Sequence, residues 1–211
     1  TTGSKGATGR GIAPAYADII YRMPLQMKDF LTADWRTKFG QHYDLYSAWI
    51  KGMGFDLSLM LVPRLSGEPV KVGSRQTFLK RLEVARQQLV NYIQPVHEFM
   101  TKTWTSKTPM VFEKAQALGL ERRWGVYPDV TASDWSFEGI FSSTEGVVDP
   151  QQLAVRAATI KATYTSTVGS RQLPTPMDDV LASRIREDAH EYGATTKRVR
   201  GIVHLDIPML K

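Results

Sequence analysis

The 211-residue chain contains no cysteine. That excludes disulfides and thiolate-held metal, and it fits a reducing compartment such as the cytoplasm. No stretch approaches the roughly 18 to 20 consecutive apolar residues needed to cross a bilayer, so no membrane span is expected. No secretory signal is visible at the first residues, and no internal repeat or low-complexity block appears. Histidine is scarce, with four residues in the whole chain.

What is present is ordinary globular material. With 42% hydrophobic and 23% charged residues, the chain can bury the core of one or two packed units. A formal net charge of +6 raises nucleic acid as a partner. The positive residues are scattered rather than gathered into a stripe, and small anionic ligands account for them more economically. Neither nucleic acid nor membrane is expected as a partner.

The pattern changes once along the chain. Residues 14–107 read as a helical subdomain. Trp35, Phe39, Tyr43, Tyr46 and Ile50 recur at three- or four-residue intervals and predict one apolar helix face. Gly52, Gly54, Pro63, Gly67 and Pro69 mark a loop. A second helix is expected over 77–100, with Phe78, Leu82, Val84, Ala85, Leu89, Tyr92, Ile93 and Val96 buried and a kink or helix end near Pro95. From residue 108 the runs are shorter. Residues 110–113 and 157–162 read as strands of a buried sheet, 177–191 as a short polar helix with solvated charges including Arg184, Arg186, Glu187 and Asp188, and 202–207 as another strand. The expected fold class is α/β: a loop (1–13), a helical subdomain (14–107), then part of a mainly parallel central sheet with flanking helices (108–211).

Two segments carry recognisable chemistry. Near the C-terminal end, Gly193, Thr195, Thr196, Arg198 and Arg200 combine a flexible backbone, two hydroxyl donors and two guanidinium forks, a set suited to gripping a carboxylate. Read by itself, the same segment also fits a solvated basic turn. Near the other end, Thr8, Gly9, Arg10 and Gly11 precede a helix start, a place where backbone N–H groups hold phosphate.

Together these residues resemble the adenylosuccinate synthetase family, purine-pathway ligases that join aspartate to inosine monophosphate using GTP. Residues 8–18 match the family's T-G-R-G-I-G-P-A-Y-x-D segment with Ala13 for a glycine. Phe112, Glu113, Lys114, Ala115 and Gln116 match F-E-G-A-Q, and residues 125–134 match G-x-Y-P-x-V-T-S-S-N. Residues 160–176 are an eroded V-K-A-Y-x-T-R-V-G-x-G-P-F-P-T-E, and residues 193–201 match the aspartate loop G-x-T-T-G-R-x-R-R.

The resemblance implies roles. Thr8 and Arg10 would bind the nucleotide's 5′-phosphate, with Arg22 reaching that phosphate from the neighbouring subunit of a homodimer. Gln116 would act at the purine 6-position as the catalytic residue of this chain, Thr131 would bind the phosphate from another side, and Val168 would touch the ribose. Thr195, Thr196, Arg198 and Arg200 would hold aspartate, with Arg200 also near the ribose. Partners would be a purine nucleoside monophosphate and aspartate. GTP and Mg2+ would be cofactors whose main ligands lie in segments not found here, with no metal ligands in this chain. The family's G-D-E-G-K-G loop, its G-x-N-A-G-H segment and its guanine-reading K-x-D segment are absent from the sequence. The expectation is a middle portion of a longer enzyme, or a truncated relative, silent by itself.

The departures bear on substrate. Lys114, Ala117 and Lys197 replace glycines, Asp134 replaces an asparagine, and Thr167 stands where the family has arginine. Lysine in place of a turn glycine implies either accepted strain or a changed backbone. Divergent viral relatives use deoxyguanylate in place of inosinate, and the drift is compatible with either substrate. A catalytically inactive nucleotide-binding subunit is the reading from a different class.

Overall fold

A computed structural model describes residues 10–23, 25–62, 68–168, 172–193 and 197–210. They form two compact units: residues 14–107, and the described residues of 1–13 and 108–211.

Helix α1 (Ile12–Ile20) follows Gly11, whose φ of 79° sets the turn into it. Pro14 lies in the first turn, where its missing N–H costs no hydrogen bond. The helix ends in a left-handed cap: Arg22 has φ 60°, its N–H donates to the Ile19 carbonyl (3.1 Å), and the Met23 N–H donates back to Asp18 (2.8 Å). This double closure satisfies the last carbonyls.

Helix α2 (Trp35–Gly52) carries the aromatic face, and its upper turns hold the core. Trp35 and Phe39 are buried with Phe30, and Leu25, Leu79, Leu82 and Ile93 pack around them. Phe30 stacks on Phe39 at 4.6 Å. Below them Tyr43 and Tyr46 are half-buried; Tyr43 packs on Phe78 and donates to the Gly73 carbonyl (2.8 Å). Gly54, at φ 84°, closes the helix with the same paired bonds seen after α1. A short antiparallel pair follows, β1 (Leu61–Val62) with β2 (Val70–Lys71).

Where one helix was expected over 77–100 there are two, α3 (Arg75–Leu89) and α4 (Val96–Thr105). Ser74 caps α3 by accepting from the Thr77 N–H at 3.3 Å. Pro95 lacks an N–H and pushes its predecessor to extended backbone, so α4 begins afresh behind it. The expected buried face is correspondingly thinner. Leu82 and Ile93 pack on the core, whereas Val84, Leu89, Val96 and above all Tyr92 (81% exposed) face outward.

In the other unit, α5 (Glu138–Ser143) buries Ile140. The buried Thr144 hydroxyl donates to the Ile140 carbonyl (2.9 Å) and accepts from the Val148 N–H (3.1 Å). Strand β3 (Tyr164–Ser166), helix α6 (Asp179–Asp188), strand β4 (Ile202–His204) and helix α7 (Ile207–Leu210) complete it. Asp178 caps α6 through bonds from the Val180 and Leu181 N–H groups. β3 and β4 pair antiparallel with Ser166 opposite Ile202, and Ile202 and Val203, on opposite faces of the strand, are both buried.

The expected strands at 110–113 and 157–162 are not strands, and the described residues contain no parallel pair. Both segments run without a ladder partner, and Val111 is 96% exposed. A strand exists only where a neighbour takes its backbone groups, and an apolar run does not supply one. The expected strand over 202–207 is likewise shorter, because α7 begins at Ile207. No described helix is long and apolar enough to cross a membrane.

Candidate functional site

The densest polar arrangement centres on Glu191, which is 4% exposed. Its position follows from how α6 ends. His190 takes φ 51° and donates to the Glu187 carbonyl, and the Glu191 N–H donates back to Arg186 at 2.9 Å. The chain therefore turns inward at Glu191. Its Oε1 meets the Lys161 ammonium and the Tyr164 hydroxyl (2.6 Å), and its Oε2 accepts from Arg200 at 3.0 Å. Lys161 also donates to Ser166 Oγ (2.7 Å) and lies 4.9 Å from the Tyr164 ring centroid. Burial first, and then the Arg200 charge, hold the Lys161 ammonium below its ordinary value. Two cations against one carboxylate leave the cluster one positive charge in surplus.

The candidate carboxylate loop rises from this base. Its main chain folds back on itself, with the Gly193 N–H donating to the Arg198 carbonyl and the Lys197 N–H to the Gly193 carbonyl, both at 2.8 Å. Tyr192 bridges Val199, and the Arg200 N–H donates to the Glu191 carbonyl (3.2 Å). Lys197 has φ 54°, a left-handed backbone in a residue that carries a side chain. Of the two outcomes posed by the sequence, the lysine at this position accepts the strain. Arg198 is exposed and Arg200 half-buried. Arg186, expected on a solvated face, is half-buried and donates through Nε to the Arg200 carbonyl at 3.0 Å.

Val168 joins this region. Thr167, 2% exposed, exchanges bonds with Gly201: its N–H donates to the Gly201 carbonyl (2.9 Å) and its Oγ1 accepts the Gly201 N–H (3.0 Å). These bonds extend the β3–β4 pairing by one step, so Val168 and Arg200 fall at neighbouring positions just beyond the two strands.

The remaining candidates are placed separately. Thr131 is half-buried, donates its N–H to the Leu120 carbonyl (2.8 Å) and shares a 2.9 Å hydroxyl contact with Ser133. It follows the loop containing Gly125, where a Cβ would lie 2.3 Å from the Glu121 carbonyl oxygen. Gln116 is exposed and holds φ 86°, an uncommon backbone for a residue with a side chain. Beside it Lys114 reaches Ser143, and its charge, after the Ser136 hydrogen bonds, helps hold Asp134 below the usual carboxylate range. Two departures from the family pattern thus act on each other electrostatically. Arg10 is exposed before α1, and Arg22 belongs to the 14–107 unit as the left-handed cap of α1. Thr8, Thr195 and Thr196 lie outside the described residues.

Sequence reasoning passed over Glu191, Lys161, Tyr164 and Thr167 as functional groups. The usable signal was an acid directly before the loop's tyrosine–glycine pair.

The family model for adenylosuccinate synthetase matches residues 1–211. The chain belongs to the adenylosuccinate synthetase family. It is 31% identical over 212 residues to the adenylosuccinate synthetase of Leuconostoc citreum, covering 98% of this chain and 44% of that protein. To the enzyme of Halothermothrix orenii it is 30% identical over 210 residues, covering 99% of this chain and 45% of that protein. The solved structure of fully ligated adenylosuccinate synthetase from Plasmodium falciparum matches with a TM-score of 0.77 at 26% identity, covering 97% of this chain and 44% of that one. The α/β fold is therefore that of the family. The chain spans less than half the length of the relatives it matches.

Proposed function

We propose that this chain supplies the aspartate loop and part of the nucleotide cradle of a ligase joining aspartate to the 6-position of a purine nucleoside monophosphate, with GTP cleavage. The observation that carries the reading is Arg200, anchored on buried Glu191 at the foot of the loop in a cluster with surplus positive charge. Arg198 and Arg200, with the Thr195 and Thr196 hydroxyls, hold the aspartate carboxylates so that its amine faces the purine carbon. Gln116 acts at the 6-position, Thr8, Arg10 and Thr131 take the 5′-phosphate, and Val168 lies against the ribose. Positioning of this kind is the main contribution a protein makes to such transfers.

Among the described residues no group of three histidine or carboxylate side chains comes together as a metal site. The main ligands of magnesium and GTP are supplied, on this reading, by segments outside this chain. In this reading the chain is one portion of a cytoplasmic homodimeric enzyme. The extended segments 110–113 and 157–162 join a mainly parallel sheet when the remaining strands are present, and Arg22 completes the partner's phosphate site. The 211-residue chain alone forms no adenylosuccinate.

Calorimetric titration of the full-length protein with inosinate, and then with aspartate, tests the function. Aspartate binding that requires nucleotide supports it, and no binding of either ligand overturns it. Deoxyguanylate is the second reading, with which the drift of Lys114, Ala117, Asp134, Thr167 and Lys197 from the family pattern is compatible. Tighter binding of deoxyguanylate than inosinate would select it. Mixing an Arg22→Leu protein with a Thr8→Ala protein tests the dimer, since one hybrid site is intact and activity should partly return.

A further inference from the structure

We propose that Glu191 is a positioning residue for the aspartate end of the site: its buried carboxylate fixes the Arg200 guanidinium in the direction that an incoming carboxylate requires. The inference rests on the aspartate-binding role given above to Arg200, and goes beyond it by naming what holds that side chain.

The geometry is closed on the Glu191 side. Glu191 receives the Lys161 ammonium and the Tyr164 hydroxyl on Oε1 and Arg200 on Oε2. Both of its oxygens are thus engaged, and its carboxylate has little freedom to follow a ligand. The main chain repeats the link, because the Arg200 N–H donates to the Glu191 carbonyl and the Arg200 carbonyl accepts from Arg186 Nε. Arg200 is therefore held at backbone and side chain together. A guanidinium has five N–H donors, and Glu191 engages only the NH1 end of this one. Its Nε is buried with no partner among the described residues. A long side chain fixed in advance loses less freedom when it binds, and a bidentate grip on a carboxylate depends on the orientation of its plane.

Charge supports the same reading. Glu191 offsets one of two adjacent cations, Lys161 and Arg200, so the pair is tolerated where it is half-buried while the cluster stays attractive to an anion. Without Glu191 the two cations would repel, and Arg200 would swing toward solvent.

The test compares steady-state kinetics of the full-length enzyme with those of its Glu191→Gln variant, which keeps the shape and loses the charge. The expected result is a KM for aspartate raised about tenfold or more, with the KM for the nucleotide within about twofold and a smaller change in kcat. In an Arg200→Gln background the same substitution should have little further effect, because Glu191 acts through Arg200. A merely structural role would move both KM values together and persist in that background, and either result overturns the proposal. So does an unchanged aspartate KM. Should Glu191→Gln fail to fold, Lys161→Gln, which releases the same carboxylate from its other side, must raise the aspartate KM selectively, and its failure to do so is equally decisive. A wild-type protein that binds nucleotide but never saturates with aspartate overturns the ligase reading itself, and is distinguishable because it appears before any substitution is made.

Discussion

The hydroxyl of Tyr46 on α2 donates a 2.8 Å hydrogen bond to the buried Asp18 carboxylate on α1, across 28 residues of chain. His42 Nε2 lies 3.2 Å from the other carboxylate oxygen. Asp18 is thereby satisfied where water scarcely reaches, and the end of α1 that carries Arg22 is pinned to α2. Tyr46→Phe should destabilise the 14–107 unit by about 1–3 kcal/mol, because a buried acceptor is left short of a partner. Burial, reinforced by the Asp18 bond and charge, pushes the Tyr46 phenol up to about 12 from its ordinary 10.0. The stabilisation it brings is complete below pH 10 and is lost as pH rises through the folded value. Alkaline unfolding followed by circular dichroism checks both points: the variant should be weaker at neutral pH, and its disadvantage should shrink above pH 10. An equal disadvantage throughout would show that the hydrogen bond is not the cause.

Asp29 gives the acid counterpart. The Gln26 N–H donates to its carboxylate at 2.7 Å and Lys38 Nζ lies at 3.1 Å. The Gln26 bond foremost, with Lys38 behind it, lowers Asp29 from its ordinary 3.8. Its contribution is present above that value and lost as pH falls through the lower folded one. Asn at position 29 should cost about 1 kcal/mol at neutral pH, the usual size of a helix-entry bond. Urea unfolding at pH 7 and pH 3 would show the gap between wild type and variant narrowing in acid. A gap that widened would contradict the assignment.

Two glycines make opposite predictions. A Cβ at Gly125 would sit 2.3 Å from the Glu121 carbonyl oxygen and 2.7 Å from that of Gly119, both main-chain atoms that cannot step aside alone. Gly125→Ala should cost about 1–3 kcal/mol through this overpacking and disturb the neighbouring Thr131. At Gly52, in the last turn of α2, nothing lies within 4 Å of the built Cβ. Gly52→Ala should stabilise by up to about 1 kcal/mol. Thermal melts of the two variants should shift in opposite directions.

Much of this was legible from residue spacing. Trp35 and Phe39 lie one turn apart and could face only one way, and Pro95 had to interrupt its helix. The strands expected at 110–113 and 157–162 were not secured by the same reasoning, because apolar composition says nothing about which backbone will pair with them. Glu191 escaped notice for a related reason. At the end of a polar helix an acid reads as solvated, and only the left-handed turn at His190, the arrival of Lys161 from 30 residues away and the return of the loop at Arg200 bury it. The loop drew notice in the sequence because its paired hydroxyls and paired arginines stand close together.

Arg198 and Arg200 stand two residues apart in that loop but in different settings, the first exposed and the second half-buried against Glu191. The Arg198 carbonyl accepts from the Gly193 N–H, a main-chain bond that a change of side chain leaves in place. On the ligase reading proposed above, Arg198→Leu should weaken aspartate binding. Loss of a charge-assisted contact worth about 1.5–3 kcal/mol raises the aspartate KM roughly tenfold or more, with the nucleotide KM preserved. Steady-state kinetics of the full-length enzyme with aspartate and nucleotide varied in turn would measure this. A variant whose nucleotide binding collapsed while aspartate kinetics stayed normal would move Arg198 out of the aspartate site and into the nucleotide cradle.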